Sequence, residues 1–302
     1  QYHIVEEPTL RTGANEMPRR FGPAGASTYT PLAIDAKRGV LYASTAEEYG
    51  LLDPRGPYSV IAYDLESGAR KWQRQFLPDA SARELACAAA APTDCRNLFS
   101  TGTSVTIVTL AGGKQVLTVG QKWGFVYGLD PDSNGEELWR TRVALGGDLG
   151  GVMYGMATDG SALYVPVSDD EASPPHRPGG LAALDPASGA VLWRVAGPDP
   201  QCSWGAQGCN AAFVAAPTAV PGAVFTGAWD GRVRVYSSGD GSLMRDIDTG
   251  GEFAAVNGMT ARGGQVSGYP VVVGNGAVYV TSGASSVLHP GNALLVYTPG
   301  GK

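Results

Sequence analysis

An all-β protein assembled from repeated antiparallel units is the fold class this sequence predicts, on three observations. One phrase recurs as "YDLESGARKW" (63–72), "LDPDSNGEELW" (129–139), "LDPASGAVLW" (184–193), a fainter "YSSGDGSLMR" (236–245) and a final "YTPGGK" (297–302). The glycine of that phrase stands at 68, 135, 189, 241 and 300, with gaps of 67, 54, 52 and 59 residues. Glycine (43) and proline (21) are abundant without a collagen period or a low-complexity tract, which leaves many short strands joined by turns. A period near fifty with several short strands per copy is the signature of a β-propeller.

Each copy reads as a four-stranded antiparallel blade. A single propeller domain over 1–302 then carries blades at about 28–75, 103–142, 151–195, 212–248 and 266–298. In the third copy the strands fall at "GVMYGMA" (151–157), "ALYVPVS" (162–168), "GLAALD" (180–185) and "AVLWRV" (190–195), each alternating and rich in β-branched or aromatic residues. The Ser-Gly, Asn-Gly and Asp-Gly pairs supply the positive φ of a tight hairpin. The recurring Asp and Gly build the turn between the two outer strands, and Trp72, Trp139 and Trp193 pack one blade on the next. The fifth copy lacks its outer strand. Either residues 1–10 supply it and close the ring, or the five blades are an arc of a larger one.

In such a meander the turns joining strands one–two and three–four lie on one face, and all other connections lie on the opposite face. The first set is terse: "AKRG" (36–39), "AGGK" (111–114), "TDGS" (158–161), "GNG" (274–276) and the glycine phrase. The second set is mostly long: 46–57, 75–102, 168–178, 196–211, 249–265 and 283–291. Function concentrates in long loops on a rigid scaffold, so the long-loop face is the expected working face.

Composition narrows the partners. A net charge of −6 and a pI near 5.1 argue against nucleic acid. No apolar run approaches the roughly 18–20 residues of a membrane span. The four cysteines form two local pairs, Cys87/Cys95 and Cys202/Cys209, without zinc-ligand spacing, and His3, His176 and His289 are scattered. Two local disulfides in an oxidising compartment are expected, and hence a secreted, extracellular or periplasmic protein. The chain opens on Gln1 rather than Met, as a processed or partial chain does.

Three segments, "GPAGASTYTPLAIDAKRGVLYAST" (22–45), "GQKWGFVYGLD" (120–130) and "GGVMYGMATDGSALYVPVSD" (150–169), resemble pyrroloquinoline-quinone (PQQ) alcohol dehydrogenases, nearest the polyvinyl-alcohol dehydrogenase branch. The run "GAWDGRVRVYSSGDG" (227–241), "EFAAVNGMTARGG" (252–264), "GNALLVYTPG" (291–300) extends the likeness from about Gly22 to the end. It implies an eight-bladed ring, with PQQ beside a calcium ion in the funnel. The cation would polarise the quinone, and an aspartate would take the alcohol proton.

Carried over by residue, the likeness places Lys122 of "GQKWG" near the quinone oxygens and puts Tyr154 of "GGVMYGMA" where the family has a tryptophan. Trp229, with Asp230, falls at a two–three connection and is a further candidate to face the cofactor. The family's "TGN" calcium segment reads "STAEEYG" (44–50), so Glu47 and Glu48 are the candidate metal ligands. In "CRNLFSTGTSV" (95–105), Ser100 stands at the position of the aspartate base, and no catalytic residue is assigned.

No C-x-x-C-H, H-E-x-x-H, G-x-S-x-G or phosphate-loop motif is present. The acidic "SDDEAS" (168–173) reads as a solvated loop, and "RELACAAAAPTDC" (83–95) as a disulfide-pinned loop. Two readings stay open: a secreted quinoprotein dehydrogenase acting on an alcohol, or a degenerate propeller without cofactor that binds an extracellular protein.

Overall fold

The computed structural model describes residues 9–10, 21–22, 25–47, 56–76, 100–147, 149–169, 179–284 and 289–299. These hold strands and turns and no helix. A short pair, β1 (Thr9–Leu10) and β2 (Phe21–Gly22), precedes the repeats. The first sheet is β3 (Ala33–Asp35), β4 (Val40–Ser44), β5 (Ser59–Asp64) and β6 (Arg70–Gln75). The second is β7 (Thr106–Thr109), β8 (Gln115–Gly120), β9 (Phe125–Asp130) and β10 (Glu136–Arg142). The third is β11 (Ala157–Thr158), β12 (Leu163–Val167), β13 (Gly180–Leu184) and β14 (Val191–Ala196). The fourth is β15 (Thr218–Val220), β16 (Ala223–Gly227), β17 (Arg232–Ser237) and β18 (Leu243–Asp248). A hairpin of β19 (Glu252–Ala254) and β20 (Thr260–Arg262) leads to a three-stranded fifth sheet, β21 (Val271–Gly274), β22 (Ala277–Ser282) and β23 (Ala293–Tyr297).

All pairings within these sheets are antiparallel between sequence neighbours, which is the propeller meander. Period-two alternation gives every inner sheet two apolar faces. Leu117, Val119, Tyr127 and Leu129 of the second sheet pack on Val40, Tyr42, Val60 and Ala62 of the first. Val108 and Val126, on its other face, pack on Leu163, Val165 and Leu184 of the third.

The glycine phrase does what its composition predicts. Gly68, Gly135, Gly189 and Gly241 have φ of 69°, 71°, 73° and 72°. The aspartate at the start of the turn takes a backbone N–H two or three residues on: Ser67 to Asp64, Asp132 to Asp130, Ala187 to Asp185. Each tryptophan lies across a small residue of its own sheet, Ala62 under Trp72, Gly128 under Trp139 and Ala183 under Trp193. It then reaches the next sheet's turn glycine: a Cβ on Gly135 would lie 2.6 Å from Trp72, one on Gly189 2.4 Å from Trp139, and one on Gly241 2.7 Å from Trp193. The indole N–H of Trp139 donates to Pro186 O at 3.0 Å, and that of Trp193 to Ser238 O at 3.1 Å. In the fourth sheet Val235 and Arg245 occupy the paired positions, and the dovetail is missing.

Two expectations are revised. The strand expected over 151–157 shrinks to Ala157–Thr158, because Gly151 and Tyr154 turn the chain at φ 68° and 64°; Gly151 keeps a single bridge to Ser168 past β12, and Tyr154 pairs with Thr103 of the neighbouring sheet's lead-in. The connection 249–265 carries the hairpin β19–β20, turned by Asn257–Gly258 with Gly258 at φ 78°. Of residues 1–10, Thr9 and Leu10 pair with Phe21–Gly22, and 1–8 lie outside the described residues. Cys202 and Cys209 form the expected disulfide; Cys87 and Cys95 lie outside the described residues.

Candidate active site

Before its first strand, each of the last four sheets has a lead-in on the long-loop side, and these lead-ins lie against one another. Segment 100–103 extends the second sheet inward: Thr101 bridges Gln121, Gly102 N–H donates to Gly120 O at 2.8 Å, and Lys122 N–H to Ser100 O at 3.0 Å. Thr103 forms a parallel bridge with Tyr154 of the third lead-in, and Ala215 of the fourth does so with Gly268 of the fifth. Two hydroxyls bind the first sheet to this layer, Thr101 Oγ1 to Thr45 O at 2.6 Å and Ser44 Oγ to Thr103 O at 2.7 Å.

Four of the five residues singled out from sequence fall on this layer and its immediate connections. Glu47 extends from the connection after β4, and its Oε2 accepts the Ser100 hydroxyl at 2.7 Å. A carboxylate from one blade thus stands beside a buried serine of the next. Lys122 follows β8 and is buried, 6 % exposed. Gly151 is required beside it: φ is +68°, and a Cβ there would lie 2.0 Å from Lys122 O. Trp229, 4 % exposed, packs with Met153, Ala212 and Val214, with Leu149 and Tyr154 against the group. Its indole N–H is buried and finds no hydrogen-bond partner among the described residues. Burial raises the Tyr154 hydroxyl pKa above its ordinary value. Glu48, the fifth, lies outside the described residues.

Asp230, next to Trp229, is structural. It is fully buried and takes both arms of the buried Arg234 guanidinium at 3.1 and 2.5 Å. Asp169 corrects the solvated reading of "SDDEAS". It is 8 % exposed, and its Oδ1 accepts the N–H of Leu145 at 2.9 Å and of Gly146 at 3.2 Å.

Burial pushes the Asp169 carboxyl up, against the smaller downward pull of those amides and of Arg194 and Arg142. Its pKa in the fold therefore exceeds its unfolded value. Its contribution to stability is fully present below the unfolded value and is lost as pH rises through the folded one. Asp169→Asn keeps an acceptor without a charged form. Relative to wild type it should gain stability as pH rises above the ordinary carboxylate value of about 3.9. Urea midpoints of both proteins across that rise test this, and a constant difference would refute it.

Tyr269 and Ser104 were not singled out from sequence, yet both reach the site. The Tyr269 hydroxyl donates to Tyr154 O at 2.8 Å, and Ser104 N–H to the same oxygen at 3.0 Å. The only sequence cue is position: "SGYP" (267–270) stands before its sheet as "MYG" (153–155) stands before the third.

PQQ is a planar o-quinone bearing three carboxylates, and the residues present fit it. Lys122 offers a buried cation, Trp229 an unsatisfied N–H donor, and Tyr154 an aromatic ring. A calcium site does not fit the described residues. Calcium takes about 6–8 oxygens, and no group of three acidic, histidine or cysteine side chains assembles among them. Glu47 is a single carboxylate already engaged by Ser100.

Comparison with known proteins agrees with this frame. The PQQ_2 family model, described as outer membrane protein assembly factor BamB, matches residues 58–293. A polyvinylalcohol dehydrogenase of Pseudomonas sp is 35% identical over 294 residues, covering 93% of this chain and 46% of that protein. One of Sphingopyxis sp. (strain 113P3) is 34% identical over 273 residues, covering 87% and 41%. The quinohemoprotein alcohol dehydrogenase of Comamonas testosteroni superposes with a TM-score of 0.64 at 17% identity, covering 92% of this chain and 49% of that one. The chain spans less than half the length of the curated relatives it matches.

Proposed function

Because this chain belongs to the PQQ_2 family of β-propellers, we propose that it forms the cofactor-holding arc of an exported quinoprotein dehydrogenase that oxidises an alcohol of the polyvinyl-alcohol type. The observation that carries the reading is the burial of Lys122 and Trp229 on connections between second and third strands, with Tyr154 of the third lead-in packed against the Trp229 cluster. The quinone, when bound, supplies the acceptor for hydride from the alcohol carbon. Lys122 balances the anionic charge of the cofactor in a site sheltered from water, where a counter-charge is strongest. The Trp229 N–H donates to it, and Tyr154 offers an aromatic face or edge. Ser100 keeps its hydroxyl proton directed at Glu47 Oε2. The Cys202–Cys209 disulfide supports an oxidising compartment, outside the cytoplasm.

A second reading is a degenerate propeller that binds an extracellular protein through its long-loop face. It is favoured by a serine, Ser100, where the resemblance expects the aspartate base, its hydroxyl directed at Glu47. Fold does not fix function, and the site decides. Calorimetric titration of PQQ into the full chain, with and without calcium, separates the two. Micromolar or tighter binding is expected; absence of binding would favour the degenerate propeller.

A further inference from the structure

Tyr154 is a non-glycine residue at φ 64°, in the left-handed region, and it stands in the middle of the candidate site. Bulky residues persist there only where the surroundings over-determine the backbone, and such positions cluster at ligand sites. Here the over-determination is visible. Tyr154 N–H donates to Gly102 O at 2.6 Å. Its carbonyl receives Ser104 N–H at 3.0 Å and the Tyr269 hydroxyl at 2.8 Å. The two rings meet edge to face, with centroids 6.2 Å apart. The first two bonds come from the second sheet's lead-in. The third comes from the fifth sheet's lead-in, and it is the only one of the three made by a side chain.

We infer that Tyr269 is a positioning residue, whose hydroxyl holds the Tyr154 backbone in its left-handed conformation and so sets where the Tyr154 ring stands at the cofactor site. Tyr269 is itself well anchored. Gly268, before it, bridges Ala215 and accepts Ala216 N–H at 2.7 Å, and Pro270, after it, accepts Thr281 N–H at 2.9 Å. Burial pushes the Tyr269 hydroxyl up to about 12, so it remains a protonated donor at any working pH. Tyr269 is 46 % exposed, and its ring packs edge to face on the Tyr154 ring. The inference rests on the quinone reading only for what the Tyr154 ring meets.

Tyr269→Phe in the full chain removes the bond and keeps the ring. A single neutral hydrogen bond corresponds to roughly a three- to tenfold change in an equilibrium. Amide exchange of Ser104 and Tyr154 in the cofactor-free protein should quicken by about that factor, with β8 and β9 unaffected. Tyr154→Phe, which keeps the accepting carbonyl, should exchange as wild type does. PQQ affinity should weaken by the same order in Tyr269→Phe, with the melting temperature nearly unchanged. Unaltered exchange overturns the inference whether or not PQQ binds. Faster exchange with unaltered affinity, in a wild type that binds, overturns the positioning role. Faster exchange in a wild type that binds no PQQ upholds the buttress and removes the quinone reading instead.

Discussion

Lys122→Ala should weaken PQQ binding by about ten- to a hundredfold in the same titration, while the protein stays folded. The size follows from burial. A charge-assisted hydrogen bond contributes about 1.5–3 kcal/mol, and Lys122 is only 6 % exposed, so its charge is little screened by water. The backbone bond at this position, Lys122 N–H to Ser100 O, is kept in the variant. Lys122→Met serves as the control of similar length. If methionine binds as lysine does, the ammonium is not the recognition element. If both variants lose binding and the melting temperature holds, charge recognition is established. A melting temperature that collapses in both would assign Lys122 to the fold.

Trp139→Ala should cost about 3–5 kcal/mol of stability, the range for deleting a large buried aromatic. Trp139 is 8 % exposed, donates its N–H to Pro186 O, and lies between Gly128 of its own sheet and Gly189 of the next. Neither glycine has a side chain to fill the space, so the cavity stays open and the loss sits at the top of the range. Chemical denaturation of both proteins measures it. A loss under about 1 kcal/mol, the level of an ordinary surface substitution, would mean that the indole does not hold the two sheets together. Trp193→Ala should cost less, because that ring is only partly buried.

The repeat made the fold legible because turn and core were written in different letters. Asp and Gly at fixed spacing marked the hairpins, and a tryptophan paired with a small cross-strand residue marked the blade contact. The first strand of the third sheet was misjudged for a physical reason. "GVMYGMA" is as apolar as a strand, but its two left-handed residues are invisible to periodicity. The hairpin in 249–265 was missed because its strands are short and exposed, so no alternation marks them.

At the site, Lys122, Tyr154 and Trp229 were reachable through motifs. The Ser100–Glu47 pair was not, since 53 residues separate the two and only the stacking of blades brings them together. Asp169 misled in the opposite direction: one acid of a charged run turned inward to cap two amides, and nothing in "SDDEAS" says which one.

The tryptophan dovetails also set how the molecule yields to load. Apart from the lead-in contact of Tyr269 with Tyr154, the described sheets pack on their sequence neighbours, so cohesion runs largely along the chain as a series of nearest-neighbour joints. Three joints carry an indole bolt. The fourth has Arg245 over Val235, and is closed instead by Val233, Val266, Val271 and Val280, by hydroxyl bonds from Thr218 to Val271 O and from Ser282 to Thr249 O, and by Trp204 stacked on His289. Opening of that joint would also break the Tyr269 bond to Tyr154 O, while the backbone bonds of Tyr154 to Gly102 and Ser104 stay within the second and third sheets.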